Sequence, residues 1–420
     1  MRRGAHRIGL GVTCLALTST GCGGDAAGGG VETSARDSAG ISIVENVAAA
    51  GAAPVLQLSA EPVVRIGALD GDADYLLDGV RHVTRLSDGT IVVANGGSQE
   101  LRFYDREGVH VRTVGRSGAG PGEYRAISYM RRLTGDSLLI FDTGNRRVTV
   151  LDASGAHARD GSTLRAGDAM SVQGGLEDGT LLVFTPKTVL GMADLESTDL
   201  MRDTAFFEVV RDSAVMRVPF AYPGGERRML ISRSGTGDIR SISIQQLPLA
   251  HGRVLAAGRD VAVVGSNETY ELHVVDGAGA VRTIVRRPDV VPGPVTDEMI
   301  SAWYDRLFER QRESRADFDE QAAATQLRDA LAGPRVSSVP AYGRVAMAQD
   351  GSFWVEEFVP PGVTVEAARW SVYDADGTMR GVIELPDSFR VVYIDDDVVI
   401  GVVRDEFDVE YVHVYGLTDV

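Results

Sequence analysis

"SDGTIVVANGGSQELRFYDREGVHVRTVGRSG", residues 87–118, and "TGDSLLIFDTGNRRVTVLDASGAHARD", residues 134–160, decide the fold. Each reads as a turn, an apolar strand, a polar turn, an alternating strand and an Asp-x-x-Gly turn, and Thr134 follows Ser87 at an offset of 47 residues. Short apolar runs bounded by turn signals read as strands, and self-similarity at such a period signals a stack of small sheets. Further copies begin at Glu177, Gly258, Gln349 and Asp395, which makes six units. One unit alone cannot bury both faces of its sheet, so the units must pack on one another. The expectation is an all-β fold, a six-bladed β-propeller over residues 56–420, in which radial repetition leaves only short, protected edges.

The two ends of the chain suggest how such a ring closes. The sixth unit stops at Val420 after three strands, while "VRIGALDGDADYLLDGV", residues 64–80, parallels "VRTVGRSGAGPGEYRAI", residues 111–127, like a fourth strand parted from its unit. Pairing residues 62–67 with the last unit would join the ring and remove two aggregation-prone edges. Two segments break the pattern. Residues 220–252 read as a long connection containing "RSISIQQL" as an extra strand. Residues 294–334 read as a helical insertion between the fourth and fifth blades. There Ile300, Trp303, Tyr304 and Leu307 recur at helical spacing between a Thr296 cap and a Gly333-Pro334 stop. On one face of the disk it would serve either as a lid or as packing.

"GRSGAGPGEY", residues 115–124, is glycine-rich enough to suggest a phosphate cradle. It lacks the Gly-Lys-Ser/Thr ending and following helix of a nucleotide loop, and it lies between strands. It reads instead as the corner that carries the chain from the outer strand of one blade to the inner strand of the next, where glycine reaches positive φ without steric cost.

Composition excludes several classes. With 42 basic against 59 acidic side chains and a net charge of −17, the averaged field repels nucleic acid and anionic lipid. The two cysteines, Cys14 and Cys22, lie at the extreme N-terminus, so the folded body has no disulfide, thiolate nucleophile or cysteine metal site. Arg2, Arg3 and Arg7 precede an apolar run and then small polar residues, the order of a secretory signal over residues 1–22. Residues 23–55 then read as a flexible tether and lead-in.

The end of that signal, "LALTSTGC", resembles a bacterial lipobox, although Ser19 stands where leucine is usual. The resemblance implies diacylation of Cys22 and a place in the cell envelope, facing the periplasm or exterior, with the membrane touched through lipid alone. "LLIFDTGNRRVTVLD", residues 138–152, resembles an NHL repeat, with Asp142, Asn145 and Arg147 in the Asp-x-x-Asn-x-Arg places; the resemblance implies that these three link neighbouring strands. The corner at residues 115–124 is similar to a Gly-x-Gly-Pro-Gly-Glu-aromatic motif of bacterial six-bladed propeller lipoproteins. Enzymes on six-bladed propellers include calcium-dependent lactonases and lyases.

Candidate chemistry is sparse. Asp70, Asp72 and Asp74 have the opening spacing of a calcium loop, yet Tyr75 stands at the turn-glycine place and Arg81 at the twelfth, so they are metal candidates against a plain acidic connector. No histidine pair has metal-ligand spacing, and His82, near an inner strand, is the best channel candidate. No catalytic residue is assigned. The expectation is a non-catalytic, lipid-anchored propeller binding a ligand or an envelope protein, with a propeller hydrolase or lyase, lactonase-like and calcium-dependent, as the alternative.

Overall fold

The computed structural model describes residues 30–49, 52–160, 172–186, 200–211, 214–236, 238–314 and 317–420. The described strands form six sheets, all but one of their strand pairings antiparallel. The innermost strands are Val80–Arg85, Ile127–Arg132, Val172–Gly175, Arg253–Ala257, Val345–Met347 and Arg390–Ile394. Each touches the next, and the last touches the first. This radial arrangement is that of a β-propeller.

What holds neighbouring sheets together is apolar packing on both of their faces. The second strand of the first sheet, Ile91–Asn95, is buried at every position, which is why it reads as an unbroken apolar run rather than an alternating one. Its Val92 and Ala94 pack with Ile127, Leu138 and Ile140 of the second sheet, while Ile91 and Val93 pack with Ile400 and Val412 of the sixth. Comparable clusters lie between the second and third, third and fourth, fourth and fifth, and fifth and sixth sheets. The Asp-x-x-Gly turns seat this packing. Gly155, at φ 83°, lies against Val114 of the preceding sheet's outer strand, and Gly377, at φ 91°, against Val285 in the same way. Gly108 lies in the same manner against Val64. The strand Val64–Ile66 pairs antiparallel with Glu410–Asp419, through Val412 with Ile66 and Val414 with Val64, so it takes the outer-strand place in the sixth sheet. Leu56–Leu58 pairs farther along the same final strand.

Two expectations are corrected. Residues 31–48, read as part of a flexible tether, form a hairpin, Val31–Ser38 and Ile41–Ala48, whose second strand runs parallel to Val281–Arg286 and extends the fourth sheet to six strands. Ile43 and Val44 are buried, and Asn46, fully buried, donates to the Gly377 carbonyl at 3.0 Å and accepts from the Met379 amide at 2.9 Å. These contacts supply the burial that a tether lacks. Residues 220–252, read as a connection, are mostly strand. Ala214–Arg233 pairs with Leu200–Arg211 and then with Ile239–Gln246, the anticipated extra strand. Pro223 and the glycines after it are accommodated where the pairing shifts register, beside Thr204.

The insertion holds two helices, α1 (Asp297–Ser314) and α2 (Glu320–Ala332). Thr296 Oγ1 accepts the Met299 amide at 3.3 Å, and Asp319 caps α2 through the Gln321 and Ala322 amides. Ile300, Tyr304 and Phe308 form the buried face of α1, packed with Leu247, Leu249 and Val336. Among the described residues no helix is long and apolar enough to cross a membrane.

Candidate functional site: an arginine-ringed channel mouth

All six innermost strands line a central channel of about 280 Å³, represented by His82, Tyr129, Gln173, Leu255, Val345 and Arg390. Among the described residues four arginines reach it, Arg81, Arg131, Arg132 and Arg390, and no carboxylate does. In a chain of net charge −17 this inversion is local and directional. A second cavity of about 530 Å³ adjoins the channel at Gln173, Leu255 and Val345, which line both, and it adds Arg227, Arg253, Arg344 and His251. The arginines come in phase with the repeat: Arg81, Arg253, Arg344 and Arg390 each stand at or beside the first residue of an innermost strand, which brings them to one mouth.

Their charges are compensated unequally. Arg344 is clamped by Glu356 through bonds of 2.8 and 2.6 Å, and Arg253 binds Asp203 at 2.8 Å over the Phe184 ring. Arg390 has only the Val80 carbonyl, at 2.8 Å. Burial lowers the pKa of Arg390, with repulsion from Arg404, Arg344 and Arg81 adding to it against the pull of Glu410. Arg81 is exposed and has no hydrogen-bond or ion-pair partner among the described residues. Deeper in, Arg131 reaches from the second sheet to the fourth, where Nη1 donates to the Ala257 carbonyl at 3.0 Å, while Nε and Nη2 are buried without a partner. The third sheet makes room for this with glycine. A Cβ on Gly174 would lie 2.8 Å from Leu255, and Gly175 exchanges two hydrogen bonds with the Tyr129 hydroxyl.

His82 does lie in the channel, and its role there is geometric. Nε2 donates to the Ser128 carbonyl at 3.0 Å, which ties the first innermost strand to the second, and its ring meets Tyr129 edge-on. Burial, with help from Arg390 and Arg81, lowers its pKa to about 4, so it is neutral at physiological pH. The unfolded chain binds a proton below about pH 6.5 that the folded chain refuses until about pH 4, so this contribution to stability is complete above pH 6.5 and is lost as pH falls through that window. We expect the wild type to lose roughly 2–3 kcal/mol more than His82→Gln between pH 7.5 and 4.5 in urea unfolding, from a shift of this size at 1.36 kcal/mol per unit.

The remaining candidates divide plainly. Asp142, fully buried, accepts from the amides of Arg125, Ala126 and Asn145 and from Asn145 Nδ2; Asn145 donates to the Gly118 carbonyl and Arg147 to that of Glu123. The three residues therefore pin the corner at residues 115–124 to the second sheet. That corner is already filled by its own anion, because the Glu123 carboxylate accepts the Gly120 amide at 2.8 Å and Tyr124 is buried beneath it. Asp72 accepts the Asp74 amide in its own turn, and Asp74 lies 3.0 Å from His110. Cys22 lies outside the described residues.

Among the described residues, one group of three carboxylate and imidazole donors lies within 4.8 Å, Glu226, His251 and Glu268. Arg202 already stands between its two carboxylates, at 3.5 and 3.0 Å, and Glu226 accepts both the amide and Nδ1 of His251 at 2.9 Å. The donors fit a guanidinium better than a metal ion. A groove of about 820 Å³ lies between α2 and the strand Ile239–Gln246, lined by Ile244, Tyr304 and Gln326 among others.

No family model matches the chain, and no curated protein does. Among solved structures, a Bacteroides fragilis protein whose name marks it as exported is 13% identical with a TM-score of 0.45, covering 87% of this chain and 96% of its own. A DUF4221 member from Bacteroides vulgatus is 12% identical with a TM-score of 0.46, covering 87% and 99%. Virginiamycin B lyase from Staphylococcus aureus is 7% identical with a TM-score of 0.38, covering 87% and 100%.

Proposed function

We propose that the chain is an exported, lipid-anchored, six-bladed propeller, closed by its own N-terminal strand, that binds a ligand at the arginine-ringed mouth without transforming it. The observation that carries the reading is the channel and the adjoining vestibule, whose walls offer fixed donors and cations, with no carboxylate among the described residues of the channel to act as a base. Sites that bind combine a concave wall with a few placed polar groups, and a rigid ring of sheets holds those groups still. The pairing of Val64–Ile66 with the final strand, and the seating of Gly108 on Val64, support closure. The basic, apolar and lipobox-like order of residues 1–22 supports export and a lipid on Cys22.

A thermal-shift panel of small acids, sugars, amines and metal salts on the purified full chain tests this reading. A specific stabiliser whose effect disappears in Gly174→Val, which fills the channel wall beside Leu255, is the expected result. Stabilisation that Gly174→Val leaves intact would move the working site elsewhere. The alternative, a hydrolase or lyase, would require metal-dependent turnover of a lactone or ester that His251→Ala abolishes, and Arg202 between Glu226 and Glu268 stands against it.

A further inference from the structure

We infer that the ligand of this mouth is a small anion, a molecule bearing a carboxylate or phosphate group, received by Arg81 and Arg390 with Arg131 below them. The inference rests on the reading of the mouth as a binding site and adds the chemical class of what it takes. Arginines are common on protein surfaces, so their number alone proves nothing; their accounting is what points to a ligand. At the same mouth Arg344 and Arg253 each have a carboxylate at 2.6–2.8 Å, whereas Arg390 bonds one backbone carbonyl and feels Glu410 only without contact, and Arg81 has no partner among the described residues.

A guanidinium partly withdrawn from water without an ion-pair partner is costly, and native chains supply a partner for it from within or from outside. Here the chain has 59 acidic side chains, and among the described residues none lines the channel. Arg131 repeats the pattern below, with two buried nitrogens unpartnered while the third donates to the Ala257 carbonyl. The planar fork of arginine matches both oxygens of a carboxylate or phosphate, so Arg81 and Arg390 can share one anionic group, while Arg131 can receive a second group or an acceptor deeper in the channel. The channel of about 280 Å³ and its vestibule of about 530 Å³ have the volume of a metabolite-sized site. The corner at residues 115–124, the other glycine-rich candidate, offers no such vacancy, because Glu123 occupies it.

Isothermal titration of the purified full chain at low salt, with inorganic phosphate and with succinate as separate probes, tests the inference and tells the two anion sources apart. At least one probe should bind, and Arg81→Gln and Arg390→Gln should each weaken it by about tenfold or more, the scale of one lost charge-assisted contact. Arg81 has no intramolecular partner, so its variant keeps the fold even where Arg390→Gln, which loses the Val80 bond, does not. Arg65→Gln, at an exposed site on the strand Val64–Ile66, should leave binding unchanged. Failure of both anions to bind the wild type, or binding that Arg81→Gln leaves unaltered, overturns the inference. If a neutral sugar or an amine then binds in a way that Gly174→Val blocks, the mouth is a binding site and only its anion preference is wrong. If no probe binds there, both readings fall.

Discussion

Ile66→Asp should leave the chain unfolded, or soluble only as aggregate, at neutral pH. Ile66 is fully buried among Tyr104, Ile400 and Val412, in the cluster between the sixth and first sheets. The substitution removes a core side chain and places an unpaired carboxylate in its stead, two effects that together cost more than about 5 kcal/mol. That matches the whole stability of many domains. The neighbouring position separates this from mere acidity. Val63 is 60% exposed, so Val63→Asp should change stability by less than about 0.5 kcal/mol. Far-UV circular dichroism and urea titration of the two variants make the comparison. A folded Ile66→Asp protein would mean that the first strand is dispensable to the last sheet.

The second large effect is expected at Asp142. Its carboxylate accepts four hydrogen bonds while fully buried, so Asp142→Ala leaves three backbone amides without their acceptor and the Asn145 side chain with only the Gly118 carbonyl. We expect a loss of about 3–5 kcal/mol, since unsatisfied buried donors cost about 1–3 kcal/mol each and do not add fully. Asp142→Asn keeps one acceptor oxygen but turns an amide toward donors, and should recover less than half. At Asp105 the same acid serves an exposed turn, accepting the Glu107 and Val109 amides, and alanine there should cost only about 1 kcal/mol. Equal losses at Asp105 and Asp142 in urea unfolding would refute the buried-linker role.

The repeat was legible in the sequence because it is written in backbone geometry as well as in side chains. Gln99 and Arg146, at the 47-residue offset, both adopt positive φ, at 59° and 51°. The linking role of Asp142, Asn145 and Arg147 came from a different source, the resemblance of residues 138–152 to an NHL repeat. The hairpin at residues 31–48 was not, because its sequence lies beside a Gly- and Ala-rich stretch and only Ile41, Ile43 and Val44 mark it. The strand Ala214–Arg233 was hidden by "PGG", residues 223–225, which ordinarily ends a strand but here sits at a register shift. The arginine mouth was invisible residue by residue. Arg81, Arg253, Arg344 and Arg390 mean little until the innermost strands are aligned, and Arg131 differs from Arg132 only in what the fold leaves unpaired around it.

The union of Val64–Ile66 with the final strand also has a temporal side. Its partners, Ile66 and Val412, stand far apart in the chain, so this pairing waits on the synthesis of every residue between them. Pairings this distant in sequence are slow to form. The contact between the strand Val64–Ile66 and the final strand is therefore expected among the last to form when the unfolded protein is diluted from urea.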